Sequence, residues 1–109
     1  MTVYGYARVS TKNQSLIPQR TALHAAGVDT IVEEKVAGTF SSRPKLDALL
    51  NQLTEGDALV VVRLDRLGRS LPHLVATVEE LTDRDVQVKS LHESIDTGSA
   101  NGRLMLSLF

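Results

Sequence analysis

The run Ala58-Leu59-Val60-Val61-Val62 constrains this chain more than any other segment. It is apolar at every position and is bounded by Asp57 and Arg63. A strand exposed to water on one face would alternate, so an unbroken run of this length predicts a strand covered on both faces. Such strands belong to parallel sheets with helices packed above and below.

The flanking segments agree. Val3 to Val9 alternates, with Val3, Gly5, Ala7 and Val9 on one side and Tyr4, Tyr6 and Arg8 on the other, which predicts a strand. From Ser15 the spacing turns helical through Leu16, Gln19, Leu23 and Ala26. Pro18 is tolerated in a first turn and Gly27 reads as a stop. Thr30 to Val36 reads as a second strand and Ala37 to Ser42 as a mobile loop. Pro44 opens a helix carrying Leu46, Leu49, Leu50 and Leu53, closed by Glu55-Gly56-Asp57. After the buried strand, Arg63 to Arg69 forms a charged loop, and Ser70 can cap a helix with Leu71, Leu74, Val75, Val78 and Leu81 on one stripe. Val86 to Leu91 reads as a fourth strand, Glu93 to Gly98 as a loop, and Ala100 to Phe109 as the beginning of a helix. The fold class expected is α/β: a single domain with a mostly parallel four- to five-stranded sheet flanked by helices on both faces. At 109 residues, 42% apolar and 23% charged, one domain with a sizeable core is the expectation.

Several function classes lose support early. No cysteine is present, so there is no disulfide frame and no thiolate metal site, which agrees with a reducing cytosol. No run approaches a membrane span, and the N-terminus lacks the pattern of a signal peptide. His24, His73 and His92 are scattered without ligand spacing. There is no phosphate loop ending in Lys-Ser/Thr and no GxGxxG. The net charge of −1 gives no hint of a polyanionic partner. Placement says more: Arg8, Lys12, Arg43, Lys45, Arg63, Arg66, Arg69 and Arg103 lie in or beside candidate loops, whereas acids gather at Glu33-Glu34, Glu55, Asp57 and Glu79-Glu80.

Open parallel sheets place ligands at the carboxyl ends of their strands, where strand order reverses. If the first and third strands are neighbours, Ser10 and the loop from Asp65 to Arg69 meet there. The result is one hydroxyl with the guanidiniums of Arg8, Arg63, Arg66 and Arg69. Attack on a phosphodiester develops charge on the equatorial oxygens, and catalysis is mostly positioning and charge stabilisation. A serine hydroxyl needs activating neighbours. Guanidiniums offer paired donors and stay charged, so several could stand in for a metal ion. Arg43, beside Pro44 at a helix start, opposes the helix dipole, which favours a phosphate role over a stabilising one. Blander readings exist for each group: Ser10 as a turn residue, Arg66 and Arg69 as a solvated helix entry, Arg8 as a surface partner of Glu33 or Glu34, and Tyr4 and Tyr6 as packing residues.

Three stretches then converge on one family. Tyr4-Gly5-Tyr6-Ala7-Arg8-Val9-Ser10-Thr11, Gln14-Ser15-Leu16 with Gln19, and Leu64-Asp65-Arg66-Leu67-Gly68-Arg69-Ser70 resemble the catalytic domain of serine recombinases, the resolvase/invertase family. Gly38 with Ser42-Arg43-Pro44, Glu55-Gly56-Asp57, and Glu93-Ser94-Ile95-Asp96-Thr97 extend the resemblance over essentially the whole chain. It implies site-specific DNA recombination without ATP or any cofactor, in which Ser10 attacks the DNA backbone and forms a 5′-phosphoserine. Arg8, Arg66 and Arg69 match arginines that hold the scissile phosphate, and Arg43 matches one on the mobile loop. Asp65 matches an acid that orients an arginine or moves a proton. Gln14 and Gln19 match polar residues beside the nucleophile, and Arg63 and Lys12 add phosphate-binding charge.

The resemblance also implies DNA and further copies of the chain, as dimer and tetramer, for partners, with no membrane and no small-molecule substrate. Arg63 stands where lysine is usual, and Ile17-Pro18 where an acidic residue followed by an apolar one is common. Residues 1–99 are expected to form the catalytic domain and 100–109 the truncated start of a long dimerisation helix. A chain ending there is expected to be an isolated fragment, inactive alone. The alternative function is a non-catalytic α/β interaction or regulatory domain that keeps the fold. A third option is a small phosphate- or nucleotide-binding domain.

Overall fold

The computed structural model describes residues 1–9, 15–35, 44–64, 67 and 71–97, together with the backbone but not the side chain of Leu71. Five strands form one sheet: β1 (Val3–Val9), β2 (Thr30–Lys35), β3 (Ala58–Val61), β4 (Gln87–Ser90) and β5 (Ile95–Asp96). Three helices lie between them: α1 (Ile17–Ala25), α2 (Pro44–Gln52) and α3 (Leu71–Asp83). The strand order is β2-β1-β3-β4-β5. β1 to β4 are parallel and β5 is antiparallel to β4. The expected α/β domain with helices on both faces is therefore the one observed.

The two faces follow from the alternation in β1. Tyr6 turns toward α2 and α3, where it is buried with Leu46, Leu49, Leu53, Leu59, Val61, Leu74, Val78, Leu81 and Val88. Ala7 and Val9 turn the other way, onto Leu16 and Leu23 of the α1 segment, with Val60 beside them. Every residue of β3 is buried, as its unbroken apolar run requires. Gly5 lets α1 approach closely: a Cβ there would stand 3.2 Å from Leu23 Cδ1 and 3.3 Å from Val28 Cγ2. Gly27, at φ +84°, ends α1 in the left-handed conformation that glycine tolerates.

The strands begin and end close to where periodicity puts them. One segment differs: Glu93 to Gly98, expected as a loop, contains β5. Two residues are too few for alternation to register. The pairing is nonetheless specific, because Thr97 donates its N–H to the Val88 carbonyl at 2.9 Å and its Oγ1 accepts the Val88 N–H at 2.8 Å. The expectations for Val36, for the loop at 37–42, for Ser70 as a cap and for a helix from Ala100 lie outside the described residues. No helix among the described residues is long and apolar enough to cross a membrane.

Candidate active site at the carboxyl ends of β1 and β3

The strand order reverses at β1. The chain moves from β1 outward to β2, then returns to place β3 on the opposite side of β1. β1 and β3 are parallel, in register from Val3 with Ala58 to Tyr6 with Val61, so the chain leaves both at the same edge. Ser10 follows Val9, and the run Arg63 to Arg69 follows β3. Ser10, Lys12, Gln14, Arg43, Asp65, Arg66 and Arg69 lie outside the described residues. Arg8, Gln19 and Arg63 lie within them.

Arg8 is half-buried near the carboxyl end of β1, with its Nε shut off from solvent. Its backbone is held by an unusual partner. β3 ends opposite Tyr6, while β1 runs on along β2 as far as Val9. Backbone groups at Arg8 that would meet β3 thus have no strand beside them. Gln19 of α1 supplies the substitute: its Oε1 accepts the Arg8 N–H at 3.1 Å, and its Nε2 donates to the Arg8 carbonyl at 2.8 Å. A carboxamide carries the same donor and acceptor as a peptide unit, which is why glutamine can extend a ladder sideways. Gln19, expected beside the nucleophile, thus contacts Arg8, which precedes Ser10 by two positions in the sequence.

The start of α1 lacks the acid that Ile17-Pro18 replaces. No acid lies in its first turn and its N-cap, Leu16, makes no side-chain cap. Ser15 Oγ accepts the Ile17 N–H at 3.1 Å instead. Arg63 is exposed, just past the end of β3. The chain beyond it is pegged on both sides of Asp65-Arg66, since Leu64 and Leu67 are both buried in the core. A single turn closes between them, with the Leu67 N–H on the Leu64 carbonyl at 3.0 Å.

Two acids have roles that sequence reading missed. Glu34, read as one of a gathering of acids and as a possible surface partner of Arg8, is only 3% exposed. Its Oε1 accepts the Tyr6 hydroxyl at 2.7 Å, and its Oε2 accepts the Lys45 N–H at 2.9 Å, with the Leu46 N–H at 3.4 Å from Oε1. A buried carboxylate at the start of α2 satisfies amides that have no partner within the helix. It also ties that start, immediately after Arg43, to β1. Tyr6 is thereby a packing and hydrogen-bonding residue, as expected.

The second acid is Glu93, whose carboxylate reaches the Leu64 N–H. Glu33 pairs with Arg20 at 2.6 Å, and that contact holds its carboxyl below the usual range. Among the described residues no three His, Cys, Asp or Glu side chains gather as a metal site.

Fold and sequence together describe an α/β domain in which arginine- and lysine-bearing runs of sequence follow the first and third strands, at the edge where strand order reverses. Comparison with known proteins narrows this. The family model described as Resolvase, N terminal domain, matches residues 3–109. A DNA-invertase of Escherichia phage P1 is 52% identical over 99 residues, covering 91% of this chain and 53% of that protein. The serine recombinase gin of Escherichia phage Mu is 50% identical over 99 residues, covering 91% and 51%. The DNA-invertase hin of Salmonella typhimurium is 48% identical over 103 residues, covering 94% and 54%. Among solved structures, the N-terminal catalytic domain of TP901-1 integrase superposes with a TM-score of 0.79 at 31% identity, over 97% of this chain and 88% of that one. A resolvase family site-specific recombinase from Streptococcus pneumoniae gives 0.72 at 25% identity, over 97% and 80%. The chain belongs to the resolvase family of serine recombinases and corresponds to its N-terminal domain. It spans about half the length of the curated relatives it matches.

Proposed function

We propose that this chain is the catalytic domain of a site-specific DNA recombinase that cuts and rejoins DNA through Ser10. The Ser10 oxygen attacks the scissile phosphorus and loses its proton. The bond from phosphorus to the 3′ oxygen breaks, and that oxygen leaves protonated as a free 3′ hydroxyl. A 5′-phosphoserine remains, which preserves the ester bond, so the reverse reaction rejoins the strands with no cofactor consumed. Arg8, Arg66, Arg69 and Arg43 neutralise the phosphate, Asp65 orients an arginine or carries a proton, and Arg63, Lys12 and Gln14 complete the phosphate contacts. Residues 1–99 form the catalytic unit, and 100–109 open the helix through which subunits pair as dimers and tetramers on DNA.

The observation that carries this reading is the parallel pairing of β1 with β3, which sends the chain into Ser10 and into the Asp65 to Arg69 run from one edge of the sheet. Membership of the resolvase family supports this chemistry. The test is covalent capture: the full-length protein is incubated with a nicked duplex carrying its crossover site, and the adduct is mapped by mass. An adduct on Ser10, lost in Ser10→Ala with an unchanged melting temperature, is the expected result. Cleavage by Ser10→Ala overturns the nucleophile assignment. No adduct from the wild type favours the non-catalytic domain.

A further inference from the structure

We infer that Glu93 is a positioning residue for the arginine-bearing loop after β3, an inference that rests on the function proposed above. The exit of β3 is fastened to the exit of β4 by consecutive contacts. The Leu91 N–H reaches the Val61 carbonyl at 3.0 Å, and the His92 N–H reaches the Val62 carbonyl at 2.8 Å. The next contact changes character. The Leu64 N–H points into the Glu93 carboxylate, 3.3 Å from Oε1 and 3.4 Å from Oε2.

Three features make this more than a chance surface contact. First, the Leu64 amide opens the turn that Leu67 closes, so it is the kind of orphan donor found at a helix start, and a carboxylate is its strongest partner. Second, the carboxylate is itself steered: the Ser90 hydroxyl, 1% exposed at the end of β4, donates to Glu93 Oε1. Third, the turn that carries Glu93 has a specific backbone conformation. Ser94 takes φ +56°, the left-handed conformation, where the chain reverses from β4 into β5. A non-glycine residue in that region points to a turn whose geometry is enforced by its surroundings.

The consequence is mechanical. Leu64 and Leu67 are held by burial, which is non-directional. The Glu93 carboxylate adds a directional contact at the Leu64 N–H, immediately before Asp65 and Arg66 in the sequence. In phosphoryl transfer, where catalysis is mostly positioning, a small misplacement of the charge-stabilising groups is felt in the rate.

The experiment measures single-turnover adduct formation at saturating protein, DNA affinity by gel shift, and melting temperature, in the full-length protein on its crossover-site duplex. Glu93→Ala is expected to slow adduct formation about tenfold or more, with affinity and melting temperature close to wild type. Glu93→Gln keeps an acceptor for the Leu64 amide and is expected to stay within about threefold of wild type. Glu93→Ala reacting at the wild-type rate overturns the inference. So does a Glu93→Gln as slow as Glu93→Ala, because the charge rather than the amide contact would then matter. If Glu93→Ala does not fold, Ser90→Ala replaces it, with a smaller slowing expected and a wild-type rate again overturning the inference. A wild-type protein that forms no Ser10 adduct defeats the proposed function and takes this inference with it, an outcome separable from a wild type that cleaves and a Glu93→Ala that cleaves equally well.

Discussion

The side chain of Gln19 closes both backbone hydrogen bonds of Arg8, at 3.1 and 2.8 Å, where β3 has already ended. This links the N-terminal turn of α1 to the carboxyl end of β1. The residue that precedes the proposed nucleophile by two positions is therefore held by β2 on one side and by a helix on the side where β3 has ended.

Replacing Gln19 tests that link. Gln19→Leu keeps the bulk and removes both partners, leaving a half-buried N–H and carbonyl unsatisfied. The expected loss is about 1–3 kcal/mol of unfolding free energy, read from urea denaturation with an unchanged slope. Gln19→Glu keeps the acceptor for the Arg8 N–H but sets a carboxylate against the Arg8 carbonyl, so it should be no more stable than Gln19→Leu. A Gln19→Leu protein as stable as wild type would show that the carboxamide contributes nothing to holding β1.

Glu34 and Tyr6 form a buried pair whose coupling is measurable. Tyr6→Phe deletes the donor to Glu34 Oε1 and should cost about 1 kcal/mol. Glu34→Gln turns one acceptor into a donor that faces either the Tyr6 hydroxyl or the Lys45 N–H, and should cost about 1–3 kcal/mol. Because the two residues share one hydrogen bond, the double variant should lose less than the two single losses combined. Additive losses from a double-mutant cycle would deny the coupling.

The burial of β3 and the division of β1 into two faces were legible in the sequence, because periodicity reports which side of an element meets the core; the order of the strands leaves no such trace, and the pairing of β1 with β3 is a finding of the structure. Fold rules bring Ser10 and the Asp65 to Arg69 run to one edge only if the first and third strands are neighbours, and that pairing is what the structure supplies. The burial of Glu34 was not legible, because nothing in the run Thr30 to Lys35 distinguishes it from its more exposed neighbour Glu33. The partners of Glu34 are a hydroxyl on β1 and amides 11 and 12 residues further along. Glu93 escaped for the same reason, since Leu64 lies 29 residues away. Long-range polar contacts leave no periodic trace, and a two-residue strand such as β5 is too short to leave one.

At the opposite edge of the sheet, Asp57 sets a pH dependence. Its Oδ2 accepts the Thr54 N–H and hydroxyl, and its Oδ1 accepts the Thr2 N–H. These contacts, led by the Thr54 amide, hold its carboxyl below the ordinary value. A depressed folded pKa stabilises the fold above the unfolded value, near 4, and that contribution disappears as pH falls through the folded value. Urea midpoints should therefore drop below about pH 4, and Asp57→Asn should flatten that part of the profile. An equally steep profile in Asp57→Asn would assign the acid sensitivity to other carboxylates.

Leu67 offers the most direct probe of the loop after β3, because its side chain is fully buried while its neighbours on both sides are polar or glycine. Leu67→Ala should cost about 2–5 kcal/mol through lost burial and the cavity left behind. Leu67→Met conserves volume and should cost less than about 1.5 kcal/mol. The same pair separates anchoring from overall stability. At a temperature well below both melting points, Leu67→Ala should slow adduct formation by more than its unfolded fraction accounts for, while Leu67→Met should react near the wild-type rate. If Leu67→Ala reacts at the rate of its folded fraction alone, the leucine pegs stabilise the domain without helping to place the arginines that follow.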